Sequence, residues 1–280
     1  MELTVHPALN IRDNPNHEHT RQFVNFLWKK YAPLADEHFR KDAKNHFLER
    51  FWEMYVAVTF MERGLKLFRI GGEGPEFYFE LMGRRIFVEA VAPGPGTGLD
   101  QVPGPQYGVV TQPPTEKILL RFTSALVEKR KKYHEALRKN IMTCDDGYLL
   151  AINSRGIHHG PCGDTLPYFV QAFLPFGSLA WILDPETGSI VDSFHQYRDT
   201  VQKQVGANIS TKAFLDTDYQ FISAVLHSSV DCVNCPKEVG ADFRILHNPN
   251  AAYRINPLVF SWAKQLTFHN DELVEIKSDF

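Results

Sequence analysis

Two glutamates in the first third of the chain have surroundings that suggest chemistry. Glu76 follows a Gly-Pro pair, and Glu89 lies inside the apolar run "IFVEAVA". Alternate residues of a strand share a face, so Glu89 and Val91 point to the same side. A carboxylate among such neighbours costs free energy unless a cation, a hydrogen-bond network or a proton compensates it. The pattern therefore predicts a buried acid with a partner.

The segment between these glutamates indicates how they would meet. The runs "FYFELM" and "RRIFVEAVA" alternate with the period of a strand and join at Met82-Gly83, which predicts a hairpin. A hairpin that begins near Glu76 folds this residue back beside Glu89. Two neighbouring carboxylates suit a hard divalent cation, Mg²⁺ or Mn²⁺.

A third acid comes from the preceding helical segment. Glu53 lies on a stripe with Glu49, Val56 and Phe60, at spacings of three and four residues. A helix that packs on the hairpin would direct Glu53 inward. Each of the three acids taken alone is typical of a surface residue, and it is their combination that favours a site.

The elements that must position these residues follow from the periodicity. Their order predicts an α/β fold with a mixed central β-sheet flanked by helices. The predicted elements are helices over 20–31 and 36–63, a strand at "LKLFRI", the hairpin, a Pro- and Gly-rich loop over 92–115, a basic helix over about 116–140 and a buried strand at "GYLLAIN".

The C-terminal half is predicted to add short strands to the same sheet. "YFVQAFLPF" is compatible with a helix, "LAWILD" and "GSIVDSF" predict a hairpin around "PETG", and "FISAVLHSS" and "FRILHNPNA" predict strands. We therefore expect a single domain over 1–280, with a core over 45–153 and a C-terminal elaboration over 154–280. Residues 1–20 are expected to form an irregular arm.

Composition narrows the class of protein. Hydrophobic residues make up 44% of the 280 residues, enough for a substantial core. The longest apolar run is interrupted by Pro175 and Gly177 and is shorter than the ~20 residues of a membrane span, so no membrane association is expected. The N-terminus lacks the features of a secretory signal, which favours a cytoplasmic protein whose four cysteines are free thiols.

Positive charge is concentrated in one segment although the net charge is only -3. Residues 116–139 contain eight Lys and Arg against three Glu, a local balance of +5. Such a helix presents either a solvated face or a patch that contacts phosphate groups. The sequence leaves both interpretations open.

The segments "RFWEMYVAVTFMERG", "GPEF" and "IFVEAVAP" together resemble the core of the PD-(D/E)XK, or restriction-endonuclease-like, nuclease superfamily. The resemblance covers roughly residues 45–153 and rests on short, degenerate motifs. It matches Glu76 to the acid after a proline, Glu89 to the acid of the next strand, and Glu53 to the early-helix glutamate.

The resemblance implies a metal-dependent phosphodiester hydrolase, a nuclease that acts on DNA more than RNA. Glu76, Glu89 and the carbonyl of Ala90 would bind Mg²⁺ or Mn²⁺ in such an enzyme. Arg121 and Lys131 are the candidates for binding substrate phosphate. Many small nucleases of this class act as dimers, so a homodimer stays open.

One position departs from the family pattern. Val91 stands where the family has a lysine, two residues after the second acid. Some members supply this lysine from a neighbouring helix, and the basic helix offers Lys129 and Lys132. The alternative is a catalytically inactive protein of nuclease fold that binds nucleic acid or a protein partner.

Two other kinds of site carry weaker signals. Cys232 and Cys235 have the spacing of zinc ligands, but a structural zinc site normally needs a second such pair, which Cys144 and Cys162 do not form. Ser154 has no apparent His or Asp partner in a nucleophile elbow, which argues against a serine hydrolase.

Overall fold

The structure is a computed structural model that describes residues 18–70, 74–161 and 166–276. Most of the predicted N-terminal arm, residues 1–17, lies outside this part of the chain. The helices are α1 (Glu18–Tyr31), α2 (Phe39–Asp42), α3 (Phe47–Glu62), α4 (Thr115–Arg138) and α5 (Tyr168–Phe173). The strands are β1 (Leu67–Arg69), β2 (Phe77–Leu81), β3 (Arg84–Val91), β4 (Gly147–Asn153), β5 (Phe176–Leu183), β6 (Ile190–Tyr197), β7 (Thr200–Gln202), β8 (Asn208–Ser210), β9 (Ala224–Ser228), β10 (Arg244–His247), β11 (Lys264–His269) and β12 (Glu272–Ile276).

Eight strands form a mixed central sheet in the order β1-β2-β3-β4-β9-β10-β11-β12. The strands β3, β4 and β9 run parallel to one another, so their carboxyl ends lie at one edge of the sheet. The predicted mixed α/β architecture with a central sheet and helices is confirmed.

The β2–β3 hairpin forms at the predicted place. Met82 and Gly83 both have positive φ, 50° and 76°, and β2 pairs with β3 in antiparallel register on either side of them. Two consecutive residues with positive φ match the twist of a tight hairpin. Local turn chemistry therefore determines the register of the two strands that carry the acids.

Helix α3 is buried on all sides because residues 51–60 are almost entirely apolar. Its Trp52 indole N–H donates to the carbonyl of Ala151 in β4 at 3.0 Å, which ties the helix to the sheet. The prediction of one helix over 36–63 is wrong in its first part, where α2 and a turn precede α3. The segment 36–46 contributes only Phe39 to the core, too little apolar surface to hold a continuous helix.

The sheet has a hydrophobic core on each face. Ile86 and Val88 of β3 pack in the cluster that contains α3, whereas Phe87 packs in the cluster that contains α4. The residues Glu89 and Val91 follow the same alternation as Phe87 and belong to the α4 side.

The C-terminal strands differ from expectation in where they pair. The strands β9 and β10 join the central sheet as predicted, and β11 and β12, which the sequence did not indicate, extend it. The predicted hairpin around "PETG" forms as β5–β6, but it is a separate two-stranded sheet, so the expectation that these strands join the central sheet is wrong. The strands β7 and β8, which the sequence did not indicate, form another two-stranded sheet. Strand β4 is paired with β3 on one side and with β9 on the other, so β5 and β6 cannot pair with it.

Within the described ranges, no helix is both long enough and apolar enough to cross a membrane.

Candidate active site

A cleft of about 400 Å³ opens at the carboxyl end of β3, between α3 and α4. The side chains of Glu53 and Glu76 line it, together with Ala90, Arg121, Lys129 and Lys132. Because β2 runs antiparallel to β3, the start of β2 lies beside the end of β3. The amide of Glu76 accordingly donates to the carbonyl of Val88 at 3.0 Å, next to Glu89.

Glu89 is buried and paired with a lysine of the basic helix. Its side chain is 2% exposed, and the Nζ atom of Lys129 lies 2.5 Å from Oε1, with that of Lys132 at 3.7 Å from the same oxygen. Burial acts to lower the pKa of Lys129, but the Glu89 carboxylate outweighs it and the pKa is raised. The ammonium group of Lys129 is therefore held charged inside the protein, beside the acid.

Lys129 reaches the face of β3 on which Val91 lies. Val91 is partly buried and packs with the α4-side core, while the Lys129 side chain enters from α4 to contact Glu89. A positive charge therefore stands beside the second acid although residue 91 carries none. Lys129 comes closer to Glu89 than Lys132 does.

Glu53 is also buried, at 2% exposure, but its oxygens are already engaged. Oε1 accepts from the Tyr31 hydroxyl and lies 3.5 Å from the Arg69 guanidinium, and Oε2 lies 2.6 Å from the Arg50 guanidinium. Burial, followed by the charge of Glu53, raises the pKa of Tyr31, so this hydroxyl remains a donor. Glu53 therefore lies near the cleft as a paired carboxylate, not as a free one.

Glu76 is an acid whose pKa is raised by its surroundings. Burial, followed by the nearby carboxylates of Glu53 and Glu89, raises the pKa of Glu76 to about 8, against the opposing effects of Lys129 and Arg50. Part of its surface still reaches the cleft. Three carboxylates at close range cannot all carry a full charge at low cost, so an added cation would be favoured here.

The two predicted phosphate-binding residues lie in different environments. Arg121 lines the cleft, and its Nε–H donates to the carbonyl of Gly94 at 2.9 Å. Its guanidinium packs against Gly96, which has φ of 84° and where a Cβ would come within about 3.0 Å of the Arg121 side chain. Lys131 is exposed and does not line the cleft. It lies two residues after Lys129 in α4, and this spacing places it on the opposite side of the helix.

The donor set is compatible with one hard divalent cation. Glu76 and Ala90 line the cleft, and Glu89 lies buried behind Lys129. Two carboxylates and a backbone carbonyl are ligand types that Mg²⁺ and Mn²⁺ accept together with water. Across the described part of the chain, no group of three or more His, Cys, Asp or Glu side chains is arranged to hold a metal. A cation here would therefore depend on two carboxylates, and Glu89 would have to exchange its contact with Lys129.

Among the described residues, Cys232 and Cys235 belong to no group of three or more His, Cys, Asp or Glu side chains that could hold a metal. Burial and then Asp231 raise the pKa of Cys232 to about 11. Cys144 is an exposed free thiol, and Cys162 lies outside the described residues.

A second polar cluster lies at the same edge of the sheet, two strands from β3 and therefore about 10 Å away. His227 of β9 is buried and stacks on Phe169, with ring centroids 4.4 Å apart, and its Nε2 lies 3.0 Å from the Ser154 hydroxyl. Burial, then Arg244, lowers the pKa of His227 to about 3. The sequence indicated no histidine partner for Ser154, but this fully buried hydroxyl is out of reach of a substrate.

Several contacts at the cleft were not predicted from the sequence. The partners of Glu53 include Tyr31 and Arg69, which come from α1 and β1 and share no local spacing with it. Arg50 is three residues before Glu53 in the same helix, and this spacing alone could have identified it.

No protein-family model matches the chain, and comparison with curated proteins and with solved structures gives no match.

Proposed function

We propose that this protein is a metal-dependent nuclease of the restriction-endonuclease-like class, acting on DNA more than RNA, with its core over residues 45–153. The observation that carries the proposal is the Lys129 ammonium group beside Glu89, on the strand face where the family lysine would otherwise stand. It supports the interpretation that the lysine has moved from position 91 to the basic helix.

In this proposal, some residues at the cleft bind the metal ion and others bind the phosphate group. Glu76, Glu89 and the Ala90 carbonyl would hold Mg²⁺ or Mn²⁺, which when bound offsets negative charge on a phosphate group and makes water more acidic. Lys129, and Lys132 beside it, would stabilise the charge that develops on the phosphate. Arg121 binds a phosphate oxygen with the N–H groups that Gly94 leaves free.

Glu53 acts indirectly in this proposal. Its contacts to Tyr31 and Arg50 fix its position, and its charge raises the pKa of Glu76 and so favours cation binding. Glu53 is therefore a positioning residue for the acid that faces the cleft.

The sharpest test is Glu76→Gln, because the amide resembles the protonated carboxyl that a pKa of about 8 favours at neutral pH. The variant should fold normally and lose Mn²⁺- or Mg²⁺-dependent cleavage of labelled duplex DNA, single-stranded DNA and RNA by about 100-fold or more, since several kcal/mol of charge stabilisation is removed. Glu80→Gln, at an exposed site of the same strand, is the matched control and should retain full activity. Equal cleavage by the wild-type protein and Glu76→Gln would contradict the proposed site.

The second candidate is a nuclease-fold protein without catalysis that binds nucleic acid or a protein partner. It is favoured by the ion pairs that already satisfy Glu53 and Glu89 without a metal. It predicts binding of nucleic acid that survives Glu76→Gln and no turnover with either divalent ion.

A further inference from the structure

A second cleft, of about 470 Å³, opens at the carboxyl end of β9 and has no part in the nuclease chemistry proposed above. Three of the residues that line it, His227, Arg244 and Lys264, come from the adjacent strands β9, β10 and β11. Arg244 is the direct cross-strand partner of both His227 and Lys264. Partners in register share one face of a sheet and stand about 5 Å apart, so the three side chains form a row at the cleft.

This row brings positive charges together without a full set of counter-ions. Arg244 and Lys264 carry like charges directly opposite each other, an arrangement that costs stability in a sheet. Lys264 has a partner in Glu275 of β12, at 3.0 Å. The exposed guanidinium of Arg244 has neither an ion pair nor a hydrogen bond with any residue that the structure describes. An anion bound between Arg244 and Lys264 would offset their repulsion.

The other polar groups of the second cleft do not cancel this charge. The carboxylate of Asp242 lines the cleft, but its two oxygens accept hydrogen bonds from the hydroxyls of Tyr55 and Ser228. Ser229 lines the cleft with a further hydroxyl. Burial and the charge of Arg244 lower the pKa of His227, so its ring stays neutral and adds no charge. The cleft therefore sets two cations against one carboxylate that is already hydrogen-bonded.

A phosphate group matches these donors. A guanidinium presents parallel N–H groups that fit two phosphate oxygens, and an ammonium adds a point charge beside them. The volume of the cleft lies within the ~300–1,000 Å³ of typical small-ligand sites.

The charge along the sheet edge favours a small ligand over a nucleic-acid backbone. Strand β4 lies between β3, which ends at the first cleft, and β9, which ends at the second. Arg155, just after β4, is already paired with Asp231 at 2.5 Å. A nucleic acid that ran from one cleft to the other would need cations along its path, whereas the positive charge here is interrupted.

We propose that the second cleft binds the phosphate group of a small phosphorylated molecule, with Arg244 and Lys264 as its charged donors. Arg244 contributes the N–H groups that have no partner in the protein, and Lys264 reaches the same anion from the neighbouring strand. This inference is independent of the nuclease proposal, because neither residue lines the first cleft.

The first test titrates the wild-type protein with pyrophosphate and with inorganic phosphate by isothermal titration calorimetry, in the absence of divalent ions. Binding is expected, and Arg244→Gln should raise the dissociation constant for pyrophosphate by about tenfold or more, since charge-assisted hydrogen bonds are lost. Arg40→Gln, at an exposed arginine of α2, is the matched control and should leave the constant unchanged. Failure of both anions to bind, or equal affinity in wild-type protein and Arg244→Gln, overturns the proposal.

A second pair of titrations separates the two clefts and the two sources of phosphate. Arg121→Gln, in the first cleft, should keep the wild-type affinity for pyrophosphate, and Arg244→Gln should keep the wild-type affinity for single-stranded and duplex DNA. Pyrophosphate binding lost only in Arg121→Gln, or DNA binding weakened in Arg244→Gln, overturns the proposal. If the wild-type protein binds no DNA, the nuclease proposal fails, but nucleic acid is then excluded as the source of the phosphate and the small-ligand proposal is supported.

A third test locates the anion without changing the protein. Because His227 lines the second cleft beside Arg244, saturating pyrophosphate should shift the ring resonances of His227 in the NMR spectrum. The ring of His247, which lies outside this cleft and is bonded to Gln265, should not respond. Binding that leaves the His227 signals unchanged would place the anion elsewhere and overturn the proposal.

Discussion

The two polar clusters at the carboxyl edge of the central sheet hold opposite kinds of buried group. At the end of β3, the carboxylates of Glu89 and Glu53 form ion pairs with Lys129, Arg50 and Arg69. At the ends of β4 and β9, a neutral histidine is balanced by a serine hydroxyl and an aromatic ring. The strands and their direction are the same, so the difference comes from the helices and loops that cover each end.

This difference separates the two clusters by the charge of their buried groups. The charged cluster opens to a cleft, and its Glu76 has a pKa near neutrality, which allows it to exchange a proton or bind a cation. In the neutral cluster, burial suppresses ionisation of His227, which lines a second cleft of about 470 Å³, and Ser154 is fully enclosed. Both clusters therefore reach a cleft, and the charge of the buried groups is what distinguishes them.

The largest expected effect comes from breaking the Glu89–Lys129 pair. Lys129→Met leaves a buried carboxylate without its closest partner and should lower the free energy of unfolding by about 3 kcal/mol, measured by urea denaturation. Lys132, now 3.7 Å from Glu89, limits the loss. Lys131→Met, on the opposite side of the helix, should change stability by less than about 0.5 kcal/mol.

A double substitution tests whether the pair acts as a unit. Lys129→Met/Glu89→Leu removes both charges and should recover most of the lost stability, because no unpaired buried charge remains. If the double variant instead loses the sum of the stability losses of Lys129→Met and Glu89→Leu, the two residues are not coupled. The contrast between a cluster of ion pairs and a neutral cluster would then be wrong.

The neutral cluster should show itself as a loss of stability in acid. The pKa of His227 falls from 6.5 to about 3 on folding, so below pH 6.5 the unfolded chain binds a proton that the folded protein refuses. The free energy of unfolding should drop by about 2 kcal/mol between pH 6.5 and roughly pH 5, at 1.36 kcal/mol per unit. His227→Gln should flatten this slope in thermal unfolding at stepped pH, whereas His38→Gln, an exposed histidine, should leave it intact. An unchanged slope in His227→Gln would show that His227 is not the group responsible for the acid sensitivity.

The charged cluster should show the opposite and smaller trend. The pKa of Glu76 rises from 4.5 to about 8 on folding, so across this window the folded protein keeps a proton that the unfolded chain has lost, and stability falls as pH rises. The fall attributable to this residue should be about 1 kcal/mol, less than the full linkage value because its side chain reaches the cleft. Glu76→Gln should remove this fall, so the Tm difference between pH 5 and pH 8 should be smaller in the variant than in the wild-type protein. Glu80→Gln is the control and should keep the wild-type difference. If the Gln variant keeps the wild-type pH profile, Glu76 is not the group that titrates.

Much of the fold is encoded in local patterns. The turn at Met82-Gly83, the basic helix and the buried strand at 147–153 all follow from periodicity and turn residues, and the structure contains each of them. The strands β11 and β12 escaped prediction because their charged and polar positions hide the alternation. The β5–β6 hairpin was predicted, but its separation from the central sheet was not, because nothing local states that β9 takes the place beside β4.

The sequence by itself determined that Glu89 needs a partner, because a carboxylate in the run "IFVEAVA" is surrounded by apolar residues. The family resemblance, not the local pattern, named Lys129 and Lys132 of the basic helix as candidates to stand near this acid. Only the tertiary structure decided that Lys129 makes the close contact and that Tyr31, Arg50 and Arg69 share Glu53. The physical reason is that most of these contacts join segments far apart in the chain, and their geometry is set by how helices pack on the sheet.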